Sequence, residues 1–148
     1  MRVNGRCYKK TEQRLYAYSD IREKTESDIL DLEDLKKEKV SGKSKDILYR
    51  SVQGGIRLSP EELHEIKINT LTDTIDRNTR ELKRINDAVK VFSDDYYGQI
   101  IPLKYFNRKT DEAIAEILNC DPSTVRRNKR RLVQRVALRL YGEEALES

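Results

Sequence analysis

Residues 110–142, TDEAIAEILNCDPSTVRRNKRRLVQRVALRLYG, have the pattern of two short helices joined by a tight turn. Thr110 is a suitable cap for the first helix, because its hydroxyl can accept a backbone N–H where the apolar pattern of residues 114–118 begins. Asn119 suits the left-handed backbone conformation that such a turn requires. Asp121 is a suitable cap for the second helix, where a carboxylate also interacts favourably with the helix dipole.

The second helix of this stretch combines one apolar stripe with one basic face. Apolar residues recur at helical spacing and are predicted to be buried: Val125, Leu132, Val133, Val136 and Leu140. The opposite face holds Ser123, Arg126, Arg127, Arg130, Arg131 and Gln134. Seven basic residues and no acidic residue occur between Arg126 and Arg139. Because solvated faces usually carry mixed charge, this clustering predicts a surface that binds nucleic acid.

Position along the helix assigns these side chains different roles in a complex with double-stranded DNA. Residues at the start of a recognition helix reach base edges in the major groove, whereas later residues and those of the preceding helix meet phosphates. We predict base contacts by Ser123, Arg126, Arg127 and Arg130. We predict phosphate contacts by Lys109, Thr110, Thr124, Lys129, Arg131 and Arg135. Since arginine can bond the O6 and N7 of guanine together, we expect guanine in the bound site.

The composition favours an extended all-α chain over a large globular domain. Charged residues make up 38% of the 148 residues and hydrophobic residues only 36%, with no tryptophan. So little apolar material suits helices that bury surface between chains. Residues 104–139 contain ten Lys or Arg against four Asp or Glu, a local charge of +6 in a chain of net charge +4. No long apolar run and no signal peptide are visible, so we expect no membrane association and a cytoplasmic location.

The chain upstream is also predicted to be helical. Apolar residues at three- and four-residue steps predict a helix over about residues 11–39, whose stripe is interrupted by Thr25 and Asp28. A linker is predicted at residues 41–43. A short apolar segment over residues 47–52 then ends at a Gly-Gly pair, which is typical of a turn.

A long helix is predicted over about residues 59–92. Ser59, Pro60 and Glu62 form a capping box at its start. A heptad repeat follows, in which one core position holds Ile68, Ile75, Leu82 and Val89, and the other holds His64, Leu71, Asn78, Ile85 and Phe92. The seam predicts either a helical hairpin with the first helix or a coiled coil with another chain. Both arrangements would bury the apolar seam equally well. The high charge and thin core favour a homo-oligomer.

The segment between the seam and residue 110 is predicted to be a support helix. Ser93, Asp94 and Asp95 resemble capping residues, and Pro102 predicts a kink or break near Ile101. This helix would complete a three-helix, DNA-binding helix-turn-helix unit. The predicted organisation is therefore a helical arm over residues 1–92 and a DNA-binding domain over residues 93–148.

Residues 103–142 resemble the C-terminal module of phage late-gene regulators of the RinA and ArpU type. They are also similar to region 4 of bacterial sigma factors. The resemblance covers 40 of the 148 residues. It is carried by Tyr105 and Phe106, Ile114 and Ala115, residues 118–120, residues 123–125 and residues 130–140. Two residues depart from the pattern: Pro102 interrupts the support helix, and Asn128 stands where such modules place an apolar residue.

The resemblance implies transcriptional activation of phage late or packaging genes. Its implied partners are promoter DNA and the RNA polymerase of a bacterial host, which places the protein in that host's cytoplasm. A phage small terminase subunit, which recognises DNA for genome packaging, is the alternative, because it also joins a helix-turn-helix to oligomerising helices. A third interpretation is a helical adaptor whose basic helix binds an acidic protein.

An enzyme is not expected from this sequence. No pair of nucleophile and base is visible, and the only histidine, His64, falls on the predicted seam. Cys7 and Cys120 lie far apart without a second cysteine nearby, so no metal site is predicted. We also expect no cofactor, because the chain contains no glycine-rich phosphate loop.

Overall fold

The structure, a computed structural model, describes residues 2–38 and 58–147. Its helices are α1 (Gly5–Lys37), α2 (Pro60–Lys90), α3 (Asp111–Leu118) and α4 (Pro122–Tyr141). Shorter turns are a 3-10 helix (Tyr96–Gln99), a π-helix (Pro102–Phe106) and a second 3-10 helix (Gly142–Ala145). The only extended pairing in the described ranges is an isolated antiparallel bridge between Val3 and Leu146. The predicted all-α class is therefore confirmed.

Capping side chains set the starts of the two long helices. Helix α1 begins at Gly5, earlier than the predicted start near residue 11, because the Oδ1 atom of Asn4 accepts the backbone N–H of Cys7 at 2.8 Å. Helix α2 begins at Pro60, where the hydroxyl of Ser59 accepts the backbone N–H of Glu62 at 3.1 Å. The same hydroxyl lies 3.1 Å from the Glu62 carboxylate. The predicted linker at residues 41–43 and the apolar segment over 47–52 lie outside the described residues.

The chain divides into two compact units. Unit 1 comprises Met1–Arg22 and Arg80–Ser148, and unit 2 comprises Glu23–Thr79. The predicted boundary between residues 92 and 93 therefore falls inside unit 1. The start of α1 and the end of α2, both assigned to the arm by sequence, belong with the C-terminal residues.

Unit 1 has a continuous core that explains this division. Leu15 of α1 and Ile85 of α2 are fully buried in the same cluster as Ile114 of α3 and Leu132 of α4. The ring of Tyr105, also fully buried, occupies this cluster as well. Because one set of apolar side chains closes over all of these elements, the start of α1 and the end of α2 are part of the fold that supports α4.

The segment between α2 and α3 changes its helical type at Pro102. A proline lacks the N–H that a regular helix would use, and here the backbone forms a π-helical turn in which the N–H of Asn107 donates to the Pro102 carbonyl at 2.9 Å. Gly98 lies in the 3-10 helix that precedes this π-helical turn, and it allows that 3-10 helix to approach the end of α2 closely. A Cβ atom at Gly98 would lie 2.3 Å from the carbonyl oxygen of Phe92, so no other residue fits without a shift.

The two chain ends of unit 1 are joined by backbone hydrogen bonds. The N–H of Asn4 donates to the carbonyl of Ala145 at 2.7 Å, and that of Glu147 donates to the carbonyl of Arg2 at 3.2 Å. Val3 and Cys7 pack beneath them against Ala137 of α4. The N-terminal segment is thus held against the C-terminal half of α4.

Unit 2 contains few buried side chains. Among its described residues, the buried ones are Leu63 and the two polar residues Thr25 and Asp28. Several apolar side chains are exposed: Ile29 (41%), Leu30 (61%) and Ile66 (46%). The predicted seam residues of this unit are only half-buried, including His64, Ile68, Leu71, Ile75 and Asn78.

Candidate nucleic-acid interface

Three residues form the turn between α3 and α4. Asn119 takes the left-handed conformation that the sequence predicts, with φ 55° and ψ 50°. The N–H of Cys120 donates to the carbonyl of Ala115 at 3.0 Å, and Ala115 is itself buried. Its small side chain allows the two helices to approach closely at the turn.

Both helices are capped by the predicted residues. The hydroxyl of Thr110 accepts the N–H of Ala113 at 3.2 Å, at the start of α3. The carboxylate of Asp121 accepts the N–H of Ser123 at 2.9 Å, at the start of α4. Hydrogen bonds from Ser123, and to a lesser degree the charge of Arg126, lower the pKa of Asp121. The Asp121 carboxylate, in its ionised form, therefore fixes the first turn of α4.

Helix α4 buries one face and exposes the other. Val125, Leu132, Val133 and Val136 are fully buried, as the apolar stripe predicts, whereas Leu140 is half-buried. Ala137 is also fully buried, which the stripe did not predict, because Val3 and Cys7 cover it.

The four residues predicted to contact bases are all exposed and lie along the first half of α4. They are Ser123, Arg126, Arg127 and Arg130. Among the described residues, no carboxylate lies within ion-pair distance of the three arginines. The hydroxyl of Ser123 donates to Asp121, so its oxygen is left as an acceptor. The three guanidinium groups thus face solvent with their donors available.

The residues predicted to contact phosphates differ in exposure and in their contacts. Lys109, Thr110, Arg131 and Arg135 are exposed, whereas Thr124 and Lys129 are half-buried. The Thr110 hydroxyl caps α3, and Arg135 lies over the ring of Phe92, 5.5 Å from its centroid. Lys129 and Arg131 form ion pairs with Glu12 and Asp95.

Asn128 orients a neighbouring arginine. Its Nδ2 atom donates to the Thr124 carbonyl at 2.9 Å, and its Oδ1 atom accepts from Arg131 NH2 at 3.1 Å. Arg131 in turn donates to Asp95 at 3.0 Å. This hydrogen bond lowers the pKa of the Asp95 carboxyl. Asn128 therefore orients Arg131 on α4, and Arg131 connects α4 to the segment before α3.

A second polar network connects α1 to the inner side of α4. The hydroxyl of Tyr105 donates to Glu12 at 2.6 Å, and Lys129 lies 3.8 Å from the same carboxylate oxygen. Burial, followed by the hydrogen bond to Glu12, raises the pKa of Tyr105. Burial also raises the pKa of Tyr8 to about 12, with a further increase from Glu12 and an opposing effect from Arg130. Sequence reasoning missed this network, because Glu12 lies far from α4 in the chain.

No metal-binding group stands out in the described ranges, where no cluster of three or more His, Cys, Asp or Glu side chains could hold an ion. No helix in those ranges combines the length and apolar character needed to cross a membrane. Comparisons with profiles of known protein families, with curated proteins and with solved structures give no significant match to this chain.

Proposed function

We propose that this protein is a sequence-specific DNA-binding regulator of transcription. In this proposal α3, the turn and α4 act as a helix-turn-helix, and α4 enters the major groove as the recognition helix. The observation that carries the proposal is the exposed row of Arg126, Arg127 and Arg130 on a helix whose opposite face is buried. The absence of ion pairs for these arginines among the described residues supports it further, because binding DNA would not require breaking internal contacts.

Two basic residues of α4 that form ion pairs support the recognition surface in this proposal. Lys129 and Arg131 hold α4 against Glu12 and Asp95, so that the arginines on its outer face keep a fixed spacing. A rigid helix surface suits direct readout, because each good bidentate contact to guanine is worth roughly 1–3 kcal/mol of discrimination. Phage late-gene regulation, with host RNA polymerase as a partner, is proposed on the resemblance of residues 103–142.

The proposal predicts that binding depends strongly on salt. If about five phosphates are neutralised, log K should fall with log salt at a slope of roughly −4.5. The measurement is a titration of a preferred duplex, chosen by selection from a random DNA pool, at several salt concentrations. Binding that is insensitive to salt between low and moderate concentrations would contradict this mechanism.

Substitution tests the assignment of the recognition residues. Arg127→Ala and Arg130→Ala are each expected to reduce the preference for the selected site by roughly tenfold or more over random duplex. Arg80→Ala, at an exposed arginine of α2, is the matched control and should leave that preference unchanged. Circular dichroism of each variant checks that the fold is retained. Unchanged selectivity in both α4 variants would overturn the assignment.

The oligomeric arm is the second part of the proposal. Ile29, Leu30 and Ile66 leave apolar surface exposed in unit 2, and a second copy of this chain could cover it. Mass measurement of the intact protein in solution tests this: a monomer at all concentrations would contradict it. A ring of eight or more subunits would instead favour the packaging function of a small terminase.

A further inference from the structure

The N-terminal segment of the chain is a second basic element in unit 1. Residues 2–10, RVNGRCYKK, contain four basic residues and no acid. All four basic side chains are exposed. The segment is held in place, because Val3 pairs with Leu146 and Asn4 caps α1. The backbone that carries these charges therefore has a defined position on the surface of unit 1.

This segment lies beside the row of α4 that carries the proposed base contacts. Arg126, Arg130 and Gln134 follow one another at four-residue steps and so share a row of the helix. Arg130 and Gln134 line one surface concavity together with Gly5 and Tyr8 of α1. Further along α4, Cys7 packs against Ala137. The start of α1 thus borders the same face of α4, at the C-terminal end of its arginine row.

Distances along α4 place this segment close to the residues proposed to contact bases. A helix rises 1.5 Å per residue, so the packing position at Ala137 is about 10 Å from Arg130 along the axis. The major groove is about 12 Å wide. A duplex that receives Arg130 in its groove would therefore present the phosphates of the groove wall near the start of α1.

The basic residues of this segment differ in their availability. Arg2 lies 3.6 Å from Glu147, which offsets its charge. Lys10 shares a helix row with Arg14, which is turned towards Glu81. Arg6 and Lys9, three residues apart on the exposed side of α1, have no ion pair among the described residues. These two are the cations best placed to meet phosphates.

We propose that Arg6 and Lys9 form a second DNA contact, which binds backbone phosphates beside the bases contacted by α4, without reading sequence. This inference rests on the proposed function. It assigns the start of α1 a direct part in the affinity for DNA. Such contacts fix position and add affinity, whereas the arginines of α4 determine which sequence is preferred.

The test compares two double variants of the full chain. The first is Arg6→Gln with Lys9→Gln; the control is Lys36→Gln with Lys37→Gln, which removes the same charge from exposed positions at the other end of α1. Each is titrated with the selected duplex over a range of salt concentrations. The first variant should have a salt slope less negative by about 1.8 and roughly tenfold or more weaker binding at 0.1 M salt. Its preference for the selected site over random duplex should not change, and the control should match the unmodified chain.

Several outcomes would overturn the inference. One is an Arg6/Lys9 variant with the slope and affinity of the unmodified chain; another is an equal loss in both variants, which would indicate a general effect of net charge. A loss of site preference in the Arg6/Lys9 variant would place these residues at the bases instead. If the unmodified chain retards no duplex even at low salt, the proposed function itself fails. That result is distinguishable because it precedes any comparison of variants.

Discussion

Helix α2 carries one heptad pattern through two regions that bury it very differently. In unit 1 its heptad residue Ile85 is fully buried, and Leu82 and Val89 are half-buried but pack against the core of that unit. In unit 2 the heptad residues Ile68, Leu71 and Ile75 are half-buried and belong to no buried core cluster among the described residues. Unit 1 closes its core with side chains from many elements of its own chain. Among its described residues, unit 2 buries Leu63 together with polar Thr25 and Asp28, and it leaves other apolar side chains in solvent. An apolar pattern therefore specifies which face will be buried, but not whether the same chain supplies the cover.

The largest expected effect tests the packing of the two units directly. Leu132→Ala in unit 1 should lower the free energy of unfolding by about 2–5 kcal/mol, because this fully buried leucine leaves a cavity. The matched change Leu30→Ala in unit 2 should alter it by less than about 0.5 kcal/mol at protein concentrations where the chain is monomeric, because the side chain is 61% exposed in the single chain. Denaturant unfolding of both variants measures the difference.

Unfolding measurements at several protein concentrations extend this comparison. A loss of more than about 1 kcal/mol for Leu30→Ala that grows with protein concentration would indicate that a second chain covers Leu30. Equal losses in the two variants at all concentrations would contradict the contrast between the units.

A smaller effect, of opposite sign, is expected at the buried carboxylate of unit 2. Asp28 is 1% exposed and forms an ion pair with Lys24, but its Oδ2 atom has no hydrogen-bond partner among the described residues. Burying a charge costs more than one exposed partner returns. Asp28→Leu should therefore leave the free energy of unfolding unchanged or raise it by about 1–2 kcal/mol.

The control for this change is Asp31→Leu, at an exposed position of the same helix, which should have an effect within about 0.5 kcal/mol. Thermal and denaturant unfolding compare the two variants. A clear destabilisation by Asp28→Leu alone would mean that the carboxylate has a partner in solution, and that unit 2 is less open than its exposed Ile29, Leu30 and Ile66 suggest.

Local signals in the sequence predicted the elements around α4 well. Thr110, Asn119 and Asp121 act through their immediate neighbours, and all three adopt the predicted capping or left-handed geometry. The buried stripe of α4 was predicted for the same reason, since helical spacing alone defines it. Exposure of the arginine row follows from that stripe.

Contacts between distant parts of the chain were not predictable in this way. Glu12 reaches Tyr105 and Lys129, and Val3 covers Ala137, across more than 90 residues of sequence. The start of α1 was also missed, because the cap at Asn4 precedes the first apolar residues of the stripe. These misses share one cause. The C-terminal helices bury the start of α1, but no periodic apolar pattern in either of these two parts of the sequence indicates that contact.

The smallest expected effect concerns the ion pair that connects the segment before α3 to α4. The hydrogen bond from Arg131 holds the pKa of Asp95 below its ordinary value of 3.8, so the ionised carboxylate favours the folded state. This contribution is present above pH 3.8 and is lost as the pH falls through the lower pKa of the folded state.

Asp95→Asn keeps an oxygen that can cap the turn at Tyr97 but removes the charge. It should lower the free energy of unfolding at pH 7 by at most about 1 kcal/mol, as for other partly exposed pairs. The difference from the unmodified chain should shrink as the pH falls below 3.8. Asp94→Asn, at an exposed neighbour without an ion pair among the described residues, should show no such trend. Unfolding curves between pH 2 and 7 provide the measurement. A difference that stays constant across this range would show that the ionised form of Asp95 does not stabilise unit 1 through Arg131.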